Sequence, residues 1–107
     1  MFRVEFALLS PDPFNVSRLP YAIESIEKEL HDICTPIKVG ASVMCSPSKD
    51  SLVVVYTAFN ENKQLSVYIR VESLDAQTLI QIVDKINKKI RQEGYVMTLS
   101  RTFSNSV

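Results

Sequence analysis

The stretch Leu52-Val53-Val54-Val55-Tyr56-Thr57-Ala58-Phe59 is the most continuously apolar and β-branched part of this 107-residue chain. A short run of this kind, followed by the polar segment Asn60-Glu61-Asn62-Lys63, predicts a strand buried on both faces, because a half-buried strand would alternate apolar and polar residues. We therefore expect residues 52–59 to form the central strand of a sheet.

The next segment, residues 65–72, alternates between apolar and polar side chains. The apolar positions are Leu65, Val67, Ile69 and Val71, and the polar positions are Ser66, Tyr68, Arg70 and Glu72. This period of two predicts a second strand with one wet face. The two segments together predict a β-hairpin.

The chain before the hairpin predicts two strands and one helix. Residues 2–8 alternate as a strand does, and two prolines within residues 10–14 predict an irregular loop. An apolar stripe at helical spacing then predicts a helix that Thr35-Pro36 stops, and the alternation across residues 37–45 predicts a single strand. The stripe consists of Leu19, Ile23, Ile26, Leu30 and Ile33.

The chain after the hairpin predicts a helix and a last strand. Ser73 or Asp75 can cap the helix, and Gly94 followed by Tyr95 is typical of a helix C-terminus. Residues 95–103 then alternate as a strand. The apolar face of this helix consists of Leu79, Ile82, Val83, Ile86 and Ile90.

These elements predict an α+β fold in one domain, residues 1–107, in the order β-α-β-β-β-α-β. Each helix has one apolar stripe, so we expect two helices packed on one face of a mainly antiparallel five-stranded sheet. The other face would be polar or would cover a partner, and it would carry residues such as Arg3, Glu5, Tyr68, Arg70, Glu72, Thr98, Ser100 and Thr102. Because the central strand is apolar on both sides, self-association of two copies is one way to cover that face.

Composition limits the functional classes. Twelve basic and twelve acidic residues give a formal net charge of zero, so no global field attracts nucleic acid or an anionic membrane. No apolar run is long enough to span a bilayer, and Met1-Phe2-Arg3-Val4-Glu5 does not resemble a signal peptide, so we expect a cytoplasmic protein without a membrane partner. Two cysteines without a paired framework favour buried thiols in a reducing compartment.

His31, Cys34 and Cys45 are the residues with the most reactive side chains. A thiol beside an imidazole is the minimum for a nucleophile and its base, and three such side chains could bind a metal. His31 also lies four residues after Glu27 and Cys34 extends the apolar stripe, which favours a structural role. With glycine only at positions 40 and 94, the chain has no glycine-rich phosphate loop or dinucleotide motif.

Two groups of residues are typical of nucleic-acid contacts. Lys85, Lys88 and Lys89 lie near the end of the second helix, where cations already oppose the helix dipole. Tyr68 and Arg70 on the open sheet face resemble the residues that stack and clamp single-stranded RNA, although such sheets use two or three aromatic side chains.

The layout of elements resembles that of small ribosome-associated hibernation proteins, although the net charge of zero departs from what rRNA binding favours. The hairpin, amphipathic helix, Gly94-Tyr95 and final strand of the second half resemble small phage tail-completion proteins. These resemblances include no diagnostic motif, so no functional residue is transferred from either family.

We therefore expect a non-enzymatic protein-binding or assembly module, homo-oligomeric and related to phage proteins, that uses the open sheet face or a sheet edge and needs no cofactor or metal. The alternatives are an RNA- or ribosome-binding module that uses the basic helix end, and a small enzyme that uses His31 or Cys34. The expected interaction residues are Tyr68, Arg70, Lys85, Lys88, Lys89, Thr98 and Ser100.

Overall fold

The computed structural model describes residues 1–9 and 19–104, and these residues form an α+β fold. Its strands belong to one antiparallel sheet in the order β2-β3-β4-β5-β1-β6. The elements in chain order are β1 (Phe2–Leu9), α1 (Leu19–Leu30), β2 (Ile37–Val39), β3 (Ser42–Cys45), β4 (Ser51–Phe59), β5 (Leu65–Ser73), α2 (Ala76–Gln92) and β6 (Val96–Ser104). The α+β prediction is confirmed, and the loop expected at residues 10–14 lies outside the described residues.

The helices form a layer on one face of the sheet, which we call the covered face. Helix α2 packs against β5, β6 and β1, whereas α1 packs against α2 and β3. Alternate strand residues, the α2 stripe and the α1 stripe from Ile23 onward together form one buried apolar core. No helix among the described residues is long and apolar enough to cross a membrane.

The hairpin of β4 and β5 occupies the middle of the sheet, as residues 52–59 predicted. Val53 and Val55 point into the core and are fully buried. Val54, on the opposite face, is only 7% exposed. The strand is therefore buried on both faces at residues 53–55, whereas residues 56–58 are half-buried and Phe59 is exposed.

The prediction of five strands is wrong by one, because residues 37–45 form a β-hairpin and not a single strand. Gly40 has a φ of +62°, a left-handed conformation that glycine adopts without a steric penalty, and the chain reverses there. Ile37 and Val39, which the alternation assigned to a core face, are consequently exposed on the short edge strand β2. The two-residue reversal places Ile37 and Val39 on the opposite face of the sheet from Val43 and Cys45. The apolar and polar residues still alternate along the sequence through the turn, so the alternation alone did not reveal it.

Helix α1 ends earlier than predicted, and both cysteines are paired. The last helical residue is Leu30, and Cys34 N–H still donates to the Leu30 carbonyl at 2.9 Å within the following turn. This turn brings Cys34 against Cys45 at the end of β3, where they form a disulfide with Cα atoms 5.7 Å apart. The expectation of two unpaired cysteines is therefore wrong, and it no longer supports a reducing compartment.

Helix α2 has the caps that its sequence predicted. Asp75 is the N-cap, and its carboxylate accepts hydrogen bonds from the backbone N–H and hydroxyl of Thr78 at 2.9 and 2.7 Å. These hydrogen bonds lower the pKa of Asp75. At the other end, Gly94 has a φ of +88° and the N–H of Tyr95 donates to the carbonyl of Ile90 at 3.3 Å, as in a Schellman motif.

Candidate functional site: the open face of the sheet

The face of the sheet opposite the helices, which we call the open face, holds the richest group of functional side chains. A shallow depression of about 680 Å³ lies on it, between the middle of the sheet and the β4–β5 turn. Tyr68, Arg70 and Ser100 from the predicted set line this depression, and Thr98 is exposed on the same face. The side chains that line the depression also include Arg3, Glu5, Tyr56 and Asn60 to Asn62.

Two tyrosines form the aromatic centre of the open face. Tyr56 on β4 lies directly opposite Tyr68 on β5, and their rings stack with centroids 5.5 Å apart and an interplanar angle of 22°. Such a pair is worth about 0.5–1.5 kcal/mol beyond the area that it buries. The pKa of Tyr56 is raised to about 12, first by burial and second by a hydrogen bond to the Glu5 carboxylate.

Four charged residues alternate in sign beside the tyrosines. The register pairs Arg3 with Glu72 and Glu5 with Arg70 across β1 and β5. Arg3 forms an ion pair with Glu72, and Arg70 Nε lies 3.7 Å from the same Glu72 carboxylate oxygen. The four formal charges cancel, so this group does not attract anions by net charge.

Arg70 retains unused hydrogen-bonding capacity. Its Nε is shielded from water and has no hydrogen-bond partner among the described residues, because 3.7 Å is too long for a hydrogen bond. A shielded donor without an acceptor costs about 1–3 kcal/mol. The Arg70 side chain as a whole is 34% exposed, so a bound partner can contact its exposed part but not the shielded Nε.

On the open face, the middle of β4 is less exposed to solvent than the polar residues around it suggest. Val54 is flanked in register by Met44 on one side and Arg70 on the other. Long side chains of this kind cover apolar neighbours with their methylene groups. A single copy therefore buries Val54 without a second layer, and the apolar central strand by itself does not require a second copy on this face.

The basic residues predicted near the end of α2 lie in the helix layer, apart from the open face. Lys88 pairs with Asp84 at 3.1 Å. Lys89 pairs at 2.6 Å with Asp32, which lies in the turn after α1. The second contact raises the pKa of Lys89 and lowers that of Asp32. Lys85 is exposed. The structure thus separates the two groups of predicted interaction residues onto different surfaces.

The reactive set predicted around His31 lacks a thiol. Cys34 and Cys45 are both in the disulfide, so neither supplies a thiolate for catalysis or metal binding in this state. Within residues 1–9 and 19–104 there is no group of three metal-binding side chains.

One pair of carboxyl groups does meet, between the two helices. A hydrogen bond with Glu93 raises the pKa of Glu29, and hydrogen bonds from Ser25 and then Glu29 lower the pKa of Glu93. The hydroxyl of Ser25 donates to Glu93 at 2.9 Å. Both carboxyl groups lie at the exposed helix surface, outside any enclosed cleft, and their contacts join α1 to α2.

Sequence reasoning missed Tyr56 as part of this site, and it placed Arg3 and Glu5 on the open face without including them among the interaction residues. Tyr56 was included in the apolar run, yet a five-residue turn at residues 60–64 pairs Phe59 with Leu65 and therefore Tyr56 with Tyr68. That turn is closed by Asn60, whose side-chain oxygen accepts the N–H groups of Asn62 and Gln64 at 2.9 and 3.0 Å. The length of the turn was the signal that could have found the tyrosine pair.

No protein-family model, curated protein or solved structure matches this chain. The two resemblances of layout therefore stay predictions.

Proposed function

We propose that the protein is a non-enzymatic binding module that contacts a protein partner through the open face of its sheet. The observation that carries this proposal is the stacked Tyr56–Tyr68 pair beside Arg70, whose side chain is 34% exposed on the same face. Tyrosine and arginine are the residue types that dominate binding energy at protein interfaces. A protein surface supplies both an apolar contact for the rings and a carbonyl or carboxylate oxygen for Arg70.

The neutral balance of charges on the open face favours a protein over RNA. RNA affinity rests largely on phosphate contacts, whereas Arg3 and Arg70 here share the carboxylate of Glu72. The alternative of RNA binding through the basic helix end has less support, since Lys88 and Lys89 each pair with a carboxylate.

Site-specific photo-crosslinking tests this proposal. A photoreactive amino acid replaces Tyr68 in one variant and Lys85 in a control variant, which places the probe on α2. We expect crosslinked protein from position 68 and little from position 85. The captured protein is then purified and its binding to Arg70→Ala is measured, for which we expect a loss of affinity of about tenfold or more.

Two results would contradict the proposal. One is crosslinking from position 85 with none from position 68. The other is crosslinking to RNA together with a salt dependence that disappears when Lys85 and Lys88 are reversed in charge, which would support the alternative.

A further inference from the structure

Strand β6 forms a long edge of the sheet. It has nine residues, whereas β2 at the opposite edge has three, and no strand within the described ranges pairs with its outer side. Such an edge is a template for the addition of another strand, and natural proteins commonly shorten or charge edges to prevent it. A bulge at Ser100 interrupts β6, but the regular part, residues 96–99, has the uncharged sequence Val-Met-Thr-Leu.

An apolar groove of about 490 Å³ lies beside this edge on the covered face. Helix α2 forms one wall, and β1 and β6 form the floor. Next to the groove, Leu99 is 57% exposed, and Ile80 in its wall is 67% exposed. The apolar lining consists of Val4, Phe6, Leu79, Ile80, Val83 and Met97. No element of the described chain forms the opposite wall.

The polar residues of the α2 wall are self-complementary. Asp84, Asn87 and Arg91 line the groove in that order along the helix. When a two-fold axis passes close to Asn87, a second α2 runs in the opposite direction. Asp84 of each copy then lies on the side of Arg91 of the other, so opposite charges face each other.

We propose that the occupant of this edge and groove is a second copy of the chain, which pairs its β6 antiparallel to the first. The two-fold axis lies at Thr98 and perpendicular to the sheet. Met97 then lies opposite Leu99 of the second copy, and both are on the covered face because Met97 pairs with Leu8 and Leu99 with Phe6. The second α2 supplies the missing wall.

The lengths of the two elements agree with this axis. A strand advances ~3.3 Å and a helix ~1.5 Å per residue, so Thr98, four residues after Gly94, lies roughly level with the second half of α2. Met97 and Asn87 accordingly line the same groove. A single two-fold axis can therefore relate both the two β6 strands and the opposite charges on the two α2 helices.

This inference goes beyond the proposed function, because it concerns a different surface and names the partner. The dimer has one continuous sheet with both open faces on the same side. Two Tyr56–Tyr68 pairs would then face one partner, which raises avidity without any new contact.

Light scattering during gel filtration tests the dimer. We expect wild type to show twice the chain mass of 12.1 kDa, with dissociation on dilution. Leu99→Lys places an ammonium in the interface and should give a monomer. Ile37→Lys, at a site of similar exposure (63%) on the opposite edge, is the matched control and should stay dimeric. Circular dichroism checks that both variants are folded.

A charge exchange tests the orientation. Asp84→Arg and Arg91→Asp should each weaken dimerisation about tenfold, because each places like charges opposite each other, and the double exchange should restore it. A wild-type monomer at every concentration overturns the proposal. So does a dimer that Ile37→Lys dissociates and Leu99→Lys does not, and so does a double exchange that fails to rescue the single variants. The crosslinking result at position 68 is independent of all three.

Discussion

The covered and open faces are built from alternate residues of the same strands, yet they are stabilised in different ways. On β5, Val67, Ile69 and Val71 are fully buried beneath the helices. Their neighbours Tyr68 and Arg70 are half-buried, no described element lies above them, and they contact side chains of the adjacent strands. The comparison shows that the covered face is stabilised by apolar packing against the helices. The open face is stabilised by side chains that the strand register places next to each other, which allows charged residues there.

The largest effect is expected when one charge is placed on each face in turn. Ile69→Lys buries an unpaired ammonium in the core and should lower the free energy of unfolding by more than about 4 kcal/mol. Tyr68→Lys, one residue earlier on the same strand, loses mainly the stacked ring and should cost about 1 kcal/mol. Urea unfolding followed by circular dichroism measures both.

Equal costs for these two variants would show that the two faces do not differ in the way we describe. Ile69→Val controls for the loss of volume alone and should cost about 0.5–1.5 kcal/mol.

A smaller effect is expected from removing the disulfide, which joins the turn after α1 to the end of β3. The bond joins residues 11 apart in sequence. Closing a loop of that size lowers the entropy of the unfolded chain and thereby stabilises the folded state by about 3 kcal/mol. Cys34→Ser should therefore lower the free energy of unfolding by that amount in the absence of reductant. With reductant, wild type and variant should have nearly the same stability.

Mass spectrometry after alkylation in denaturant without reductant supplies the control, because Cys45 is only 2% exposed in the folded chain and denaturation makes it accessible to the reagent. Two alkylated cysteines in unreduced wild type would contradict the disulfide. Cys45 would then be a buried free thiol.

The smallest effect concerns Tyr56 on the open face. Its pKa rises from an ordinary value of 10.0 to about 12, so the neutral phenol is favoured in the folded chain. Between pH 10.0 and about 12 the unfolded chain loses this proton and the folded chain keeps it. The free energy of unfolding therefore falls as the pH rises through this range.

An ultraviolet titration of the phenols measures this shift. We expect a late-ionising component that is absent from Tyr56→Phe and that ionises earlier in Glu5→Gln, since Glu5 is the second cause of the shift. A titration that Tyr56→Phe leaves unchanged would show that the tyrosine is more exposed than the packing indicates.

Much of the fold followed from local patterns. The valine run at residues 52–59 predicted a central strand, and the Asp75 and Gly94 caps predicted both ends of α2, because each signal depends on residues close together in the chain. The hairpin at Gly40 was missed for the same reason. The alternation continues through the turn and looks like one strand, although the reversal places the exposed Ile37 on the opposite face of the sheet from Val43.

The candidate site was predicted only in part. The alternation of β1 and β5 placed Arg3, Glu5, Tyr68 and Arg70 on a wet face, but Tyr56 joined them only through strand pairing. The predicted lysines proved to lie on a separate helical surface, where two of them pair with carboxylates.

The sequence by itself determined where the two helices and most strands lie and which side of most strands is apolar, since periodicity and capping act within a few residues. Only the tertiary structure decided that Cys34 meets Cys45, that Tyr56 stacks on Tyr68, and that β6 is a long edge. These features join residues distant in the chain, and their proximity is set by strand order, register and helix packing.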